Sequence, residues 1–175
     1  SGQIFLNGKE VSFPNVKSAI KNKVAYVTED RKGNGLILSE SISKNTTAAK
    51  IDKISKHYVI DFDKEKVDSQ AMAKEMHTKC YSVDEDVGNL SGGNMQKVLL
   101  GKWLYAEPDI LILDEPTNGL DILTSKQVTD YLKELKEQGH AIILSTHIFS
   151  VAEELCDEIA ILVDGRIAAQ GTVEQ

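Results

Sequence analysis

The sequence predicts an α/β protein built on a mainly parallel sheet, and three observations carry that expectation. Four apolar residues in a row, Ile110 to Leu113, read as a strand buried on both faces; the run ends in Asp114 and Glu115, and Pro116 stops it. Strand-like segments at Val24–Val27, Ile110–Leu113, Ala141–Leu144 and Ile159–Val163 alternate with helix-period segments, the pattern of a parallel sheet with helices on both faces. A Ser-Gly-Gly lead-in at Ser91–Gly93 opens the helix directly ahead of the acidic strand.

In chain order, Gln3–Leu6 and Glu10–Phe13 flank Asn7-Gly8, a strong hairpin signal. Pro14-Asn15 opens a short helical stretch through Ile20, and Val24–Val27 follows as a strand. After the polar cluster Thr28–Gly35, Leu36–Ala49 reads as helical with Ser39 or Ser41 as its cap. Between Lys50 and Asp86 the chain is highly charged. Its clearest helix is Lys64–Lys79, with Val67, Ala71, Met72 and Met76 on one side, while His57 and His77 have no partner at ligand spacing and read as surface residues. Met95, Val98, Leu99 and Trp103 recur at helical spacing, so Ser91–Tyr105 is a helix. Val128, Tyr131, Leu132 and Leu135 give another, stopped by Gly139. Ala141–Leu144 reads as a second buried strand, Ile148–Cys156 as a short helix on Val151 and Leu155, and Ile159–Val163 as a third strand. Asp164-Gly165 then turns the chain into Arg166–Ala169 as a terminal hairpin.

The 175 residues fit one domain with a substantial core; 41% hydrophobic and 27% charged content is ordinary for a globular protein. A net charge of −7 argues against a general nucleic-acid-binding surface. No apolar run is long enough to span a bilayer and no secretory signal is visible, so any action at a membrane is expected to run through a partner. Cys80 and Cys156 are isolated, which fits a reducing compartment better than a disulfide framework. The sequence opens on Ser1 rather than Met, as a processed or shortened chain does.

Open α/β sheets hold their ligands at the carboxyl ends of strands, where Asp114 and Glu115 stand. A helix N-terminus such as Ser91-Gly92-Gly93 has free N–H groups and the positive end of a dipole, and glycines let a phosphate approach closely. Taken alone, the same three residues equally describe an ordinary helix cap. Ahead of the acidic strand they gain weight as an anion site.

These pieces together resemble the ATP-binding cassette (ABC) transporter ATPases. Leu90-Ser-Gly-Gly-x-x-Gln96 resembles their signature motif, the Asp114-Glu115 strand their Walker B motif, Asn118-Gly-Leu-Asp121 their D-loop and Ser145-Thr-His147 their H-loop, in family order. Within the family, Gln3–Lys9, Ala25–Lys32 with Gly35-Leu36, and Asn94–Lys97 look most like the second cassette of monosaccharide-type importer ATPases. His147 departs from that subgroup, which usually lacks it, and leaves the solute open.

The resemblance implies a P-loop NTPase-like ABC cassette with an N-terminal antiparallel β piece (1–35, ending in the Q-loop region), a helical subdomain (36–90) and a signature-to-H-loop core (91–175). It implies that Asp114 binds Mg²⁺, Glu115 is the general base and His147 contacts the γ-phosphate of ATP. Ser91, Gly92, Gly93 and Gln96 would face the nucleotide of a second cassette in a head-to-tail dimer, Glu29 would stand where others have the Q-loop glutamine, and Asp121 would couple the two sites. Transmembrane permease subunits are the implied partners at the inner face of the cell membrane, with Leu36–Glu85 receiving their coupling helices, and import of a solute, sugar among the candidates, is the implied function. The chain contains no Gly-x-x-x-x-Gly-Lys-Ser/Thr loop, the Walker A of this family, which in its relatives precedes the Gln3–Lys9 hairpin. Without that nest and its lysine the phosphates lose their cradle, so this chain alone is expected to be inactive and to form a marginal, aggregation-prone monomer with an exposed sheet edge. The alternative is a non-catalytic cassette kept for dimerisation or regulation. A cassette of repair or translation is less favoured, because the large insertions or tandem cassettes usual there are absent.

Overall fold

In the computed structural model, which describes residues 2–173, the chain opens with an antiparallel hairpin, β1 (Ile4–Leu6) and β2 (Lys9–Val11). Ser1, Glu174 and Gln175 lie outside the described residues. Asn7 and Gly8 both take positive φ, 51° and 75°, the conformation a two-residue Asn-Gly turn demands. Helix α1 (Val16–Lys21) is started by Asn15, whose side chain accepts from the Ser18 N–H, and strand β3 (Val24–Val27) follows. Residues 31–35 then wind one π-type turn closed by Gly35 N–H donating to the Asp30 carbonyl at 2.9 Å.

The next segment is built from short pieces: α2 (Ile42–Thr47), capped by Ser41, a 3₁₀ stretch, and a two-stranded ribbon of β4 (Ser55–Lys56) and β5 (Val59–Ile60). Helix α3 (Phe62–Glu75) begins earlier than periodicity predicts because the Asp61 side chain caps it on the Lys64 N–H. Its inward side is also different. Val67 and Ala71 are exposed, while Glu65 and Ser69 are buried, held by the Thr47 hydroxyl and the Ser43 carbonyl. A polar face tied by hydrogen bonds replaced the expected apolar one, with only Met72 and Met76 of that set reaching the core.

Helix α4 (Gly92–Leu104), strand β6 (Ile110–Asp114), helix α5 (Ile122–Glu137), strand β7 (Ala141–Ser145) and helix α6 (Phe149–Leu155) complete the central unit. Strands β3, β6 and β7 form a three-stranded parallel sheet with β6 in the middle; Leu113 lies level with Val27 and Leu144, and Asp114 with Ser145. Ala25, Val27, Leu111 and Leu113 point to one face, at most 2% exposed, and share a core with Leu99, Val128 and Leu132. The opposite face is open: Tyr26 stands 49% and Ile143 58% exposed. The expectation of helices on both faces is therefore corrected among the described residues. So is the reading of Ala141–Leu144 as fully buried, since this edge strand alternates between half-buried and exposed residues.

The last strand segment is corrected too. β8 (Glu158–Val163) does not extend the parallel sheet; among the described residues it pairs only with β9 (Arg166–Thr172), through the Asp164-Gly165 turn. An antiparallel partner joined by two residues satisfies its backbone locally, so it needs no crossover. His57 and His77 lie on the surface as expected. No helix among the described residues is long and apolar enough to cross a membrane.

Candidate functional site

Strand β6 delivers Asp114 and Glu115 to the carboxyl edge of the sheet at its centre. The Asp114 Oδ2 accepts the Tyr26 hydroxyl at 3.0 Å, a bond that pushes the Tyr26 phenol above its ordinary value and keeps it a donor. Glu115 leaves the strand with φ +44°, a left-handed conformation uncommon for a residue with a Cβ. The surroundings hold it there: its N–H donates to the Ser145 carbonyl at 2.9 Å, fixing the bend to β7.

The side chain of Glu115 is gripped by the loop after β7. Oε1 accepts the His147 backbone N–H at 2.8 Å and lies 2.7 Å from His147 Nδ1, while Oε2 accepts the Thr146 hydroxyl at 3.1 Å. The carboxylate side chain is 14% exposed and the imidazole 68%, so Glu115 is sheltered and His147 faces solvent. With Nδ1–H donating to the carboxylate, the exposed Nε2 of a neutral ring is an acceptor; it donates only once the ring is protonated or turned. Neither His147 nor Thr146 caps α6, which starts at Ile148 without a side-chain cap; the Ile148 N–H itself donates to the Thr146 hydroxyl at 3.1 Å.

A second cluster gathers at the start of α4. Ser91 is its cap, its Oγ accepting from Asn94 N–H at 3.4 Å and Asn94 Nδ2 at 3.0 Å. At Gly92 a Cβ would meet only the Arg31 guanidinium, 3.5 Å away, but Gly93 is packed tightly. A Cβ at Gly93 would come within 2.7 Å of Thr124 Cγ2 and 3.0 Å of its Oγ1, so glycine there permits close packing of α4 on α5. Gln96 is 2% exposed and lies under the Arg31 guanidinium, Nη1 donating to its Oε1 at 3.4 Å.

The loop from Glu115 to Asp121 joins the two clusters. Glu29 Oε1 accepts from Asn118 Nδ2 at 2.8 Å. Asp121 caps α5, accepting Thr124 N–H at 3.0 Å and the Thr124 hydroxyl at 2.7 Å; the Thr124 backbone bond foremost holds its carboxyl below the usual range. Thr117 Oγ1 is buried without a partner in this loop. Asp114, Glu115 and His147 thus meet at the sheet edge, and Ser91 to Gly93, Gln96, Glu29 and Asp121 meet beside the 115–121 loop. Sequence reasoning missed Tyr26, Thr124, Thr146 and Arg31. Thr124 was findable, three residues after a capping aspartate; the others depend on pairings no local spacing encodes.

Among the described residues no group of three or more His, Cys, Asp or Glu side chains could hold a metal alone. One carboxylate with a free oxygen suits Mg²⁺ taken up with phosphate and water ligands rather than a protein cage.

Comparison with known proteins identifies the family. The ABC transporter family model matches residues 1–118. The L-arabinose transport ATP-binding protein AraG of Geobacillus stearothermophilus is 43% identical over 175 residues, all of this chain but 34% of that protein. The ribose import ATP-binding protein RbsA of Bacillus cereus is 36% identical over 167 residues, 95% of this chain and 34% of its own length. The chain thus spans about a third of the length of these relatives. In fold it matches the dimeric post-hydrolysis state of the ATP-binding cassette MJ0796 bound to ADP and Pi, with TM-score 0.82, 19% identity and coverage of 100% of this chain and 75% of that one. It also matches cbiO1 of Clostridium perfringens, part of the ABC transporter complex cbiONQ, with TM-score 0.76, 26% identity and coverage of 98% and 66%. The expected α/β cassette fold and the resemblance read from the motifs both stand, and the chain belongs to the ABC transporter family.

Proposed function

We propose that this chain is the part of a cassette running from the hairpin before the Q-loop region to the H-loop, in an ATPase that drives sugar import, working as one cassette of a head-to-tail pair on membrane permease subunits. The observation that carries this reading is the Asp114–Glu115–His147 constellation at the tip of a central parallel strand. ATP with Mg²⁺ supplies the phosphoanhydride whose cleavage does the work. Asp114 would hold the cation through one oxygen, while Tyr26 donates to the other at 3.0 Å. Glu115 is oriented by Thr146 and the His147 N–H so that Oε2 can take a proton from an attacking water. His147, once released from Glu115 or protonated, turns a donor toward the γ-phosphate.

The exposed Ser91 and the half-buried Gly92 beside it offer the start of α4 to a nucleotide held by the opposite cassette. Gln96, by contrast, acts from beneath. Relatives named for arabinose, ribose and xylose support a pentose or related sugar as solute. Docking to the permease falls to an open groove lined by Glu40, Asp63, Glu65, Asp84 and Asp86, where Lys44 and Lys66 are already paired with Glu40 and Asp84. Its acidic excess suits a helix bearing basic residues, at the inner face of the membrane. The chain has no Walker A loop, so we infer that it does not hold MgATP tightly by itself.

The test is calorimetric titration of the chain with MgATP, then ATPase assay after mixing with a Walker A-bearing cassette. No heat alone, and turnover gained in the mixture that vanishes with Ser91→Arg, are expected. Tight binding by the chain alone that disappears in Asp114→Asn would overturn the trans role. A mixture with no Ser91-dependent turnover favours the dimerisation module.

A further inference from the structure

We propose that Arg31 is a positioning residue whose guanidinium fork holds the Glu29 loop, the start of α4 and the Asn118–Gly119 loop in one register. Its Nη1 donates to the Asn118 carbonyl at 3.2 Å as well as to buried Gln96. Its other terminal nitrogen lies against two glycines: a Cβ at Gly92 would stand 3.5 Å from Nη2, and one at Gly119 3.2 Å. Among the described residues no carboxylate forms an ion pair with Arg31. A guanidinium bonded to two neutral oxygens from different segments works through its planar geometry rather than through charge neutralisation.

Asn118 is held at both ends by the same short segment, its amide by Glu29 and its carbonyl by Arg31. That segment is itself laid along α4. Lys102 Nζ donates to the Gly35 carbonyl at 2.9 Å, and a Cβ on Gly35 would meet Leu99 Cδ2 at 3.0 Å. Gly92, Gln96, Leu99 and Lys102 follow one another at helical spacing, so one stripe of α4 carries the whole turn. Desolvation lowers the Lys102 amine from its ordinary value, which fits an anchor with no acidic partner. Glu29 therefore cannot shift alone: a displacement there moves Asn118 through two bonds and the α4 start through Arg31. The consequence for turnover rests on the function proposed above, with Glu29 reporting on the nucleotide site. The mechanical linkage does not.

The experiment is amide hydrogen exchange on the nucleotide-free chain. Met95 N–H bonds to the Ser91 carbonyl, Asn118 N–H to Glu115 and Leu120 N–H to Thr117, so each is a protected reporter. In Arg31→Ala these three are expected to exchange roughly tenfold faster, the loss typical of one charged hydrogen bond, while α3 and the β8–β9 hairpin keep wild-type rates. Arg31→Lys keeps the charge without the fork and should restore protection at one segment only. Acceleration at a single segment in Arg31→Ala, a uniform rise along the chain, or full restoration by lysine would each overturn the proposal. Absence of ATP turnover in the mixed-cassette assay would count against the function instead and leave the exchange result standing.

Discussion

The Gly93 contact makes a quantitative prediction about how α4 and α5 pack. In Gly93→Ala the new methyl arrives 2.7 Å from Thr124 Cγ2 and 3.0 Å from Oγ1, closer than carbon and oxygen tolerate. Thr124 cannot simply rotate, because its hydroxyl and its backbone N–H are both bonded to Asp121. Overpacking of this kind costs about 1–3 kcal/mol. The helix-propensity gain of alanine over glycine returns about 0.8–1 kcal/mol, leaving a net loss of roughly 0–2 kcal/mol. Thr124→Ala alone loses one exposed hydrogen bond, about 0.5–1 kcal/mol. It also removes both clashing atoms and leaves only the Thr124 Cβ at 3.3 Å. The double variant should therefore be no less stable than Thr124→Ala, with a favourable coupling of roughly 1–2 kcal/mol. Urea unfolding of the four proteins, followed by Trp103 fluorescence, measures the cycle. Additivity within about 0.5 kcal/mol, with Gly93→Ala as stable as wild type, would refute the close-packing argument.

Other perturbations follow from the same coordinates. Leu132→Ala empties a side chain that is 0% exposed in the core, so its unfolding free energy should drop by about 2–5 kcal/mol. Ser91→Arg should lower the turnover gained in a mixed-cassette assay about 10²–10³-fold, the loss expected of one donor facing the transferred phosphoryl group, whereas Glu115→Gln should leave it, because nucleotide on the other cassette's phosphate loop is served by that cassette's own acidic strand; undiminished turnover in Ser91→Arg would remove Ser91–Gly93 from that site. Hydrogen bonds from Lys126 and Lys133 lower the Glu154 carboxyl, and Lys53 lowers that of Glu107. A depressed folded value stabilises above the unfolded one and is lost as pH falls through it, so the urea midpoint should hold from about pH 7 to 5 and decline between about pH 4.5 and 3. The open face bearing Tyr26 and Ile143 should bind an apolar dye in the native state, and Ile143→Lys should reduce aggregation without lowering the melting temperature. A clean monomer that binds no dye would count against the exposed-face reading.

Much of the site was legible in sequence because its signals are local. An apolar run ending in Asp114-Glu115, a serine and two glycines at a helix start, and Asn-Gly or Asp-Gly between strands each specify backbone within a few residues. These determined the order of elements, the central strand, the two hairpins and the candidate residues. Tertiary structure decided which faces are covered and who bonds to whom. Val67 and Ala71 have helical spacing, yet α3 turns them outward because the bonds from Thr47 to Glu65 and from Ser69 to the Ser43 carbonyl outrank them. Likewise β8 is as apolar as β7 but pairs with its neighbour in the hairpin, since a two-residue turn closes at less entropic cost than a crossover. The grip of Thr146 and His147 on Glu115, and of Arg31 on Gln96 and Asn118, joins residues 31, 32, 65 and 87 positions apart. Hydrophobic periodicity reports burial along one element; it carries no information about a bond between two.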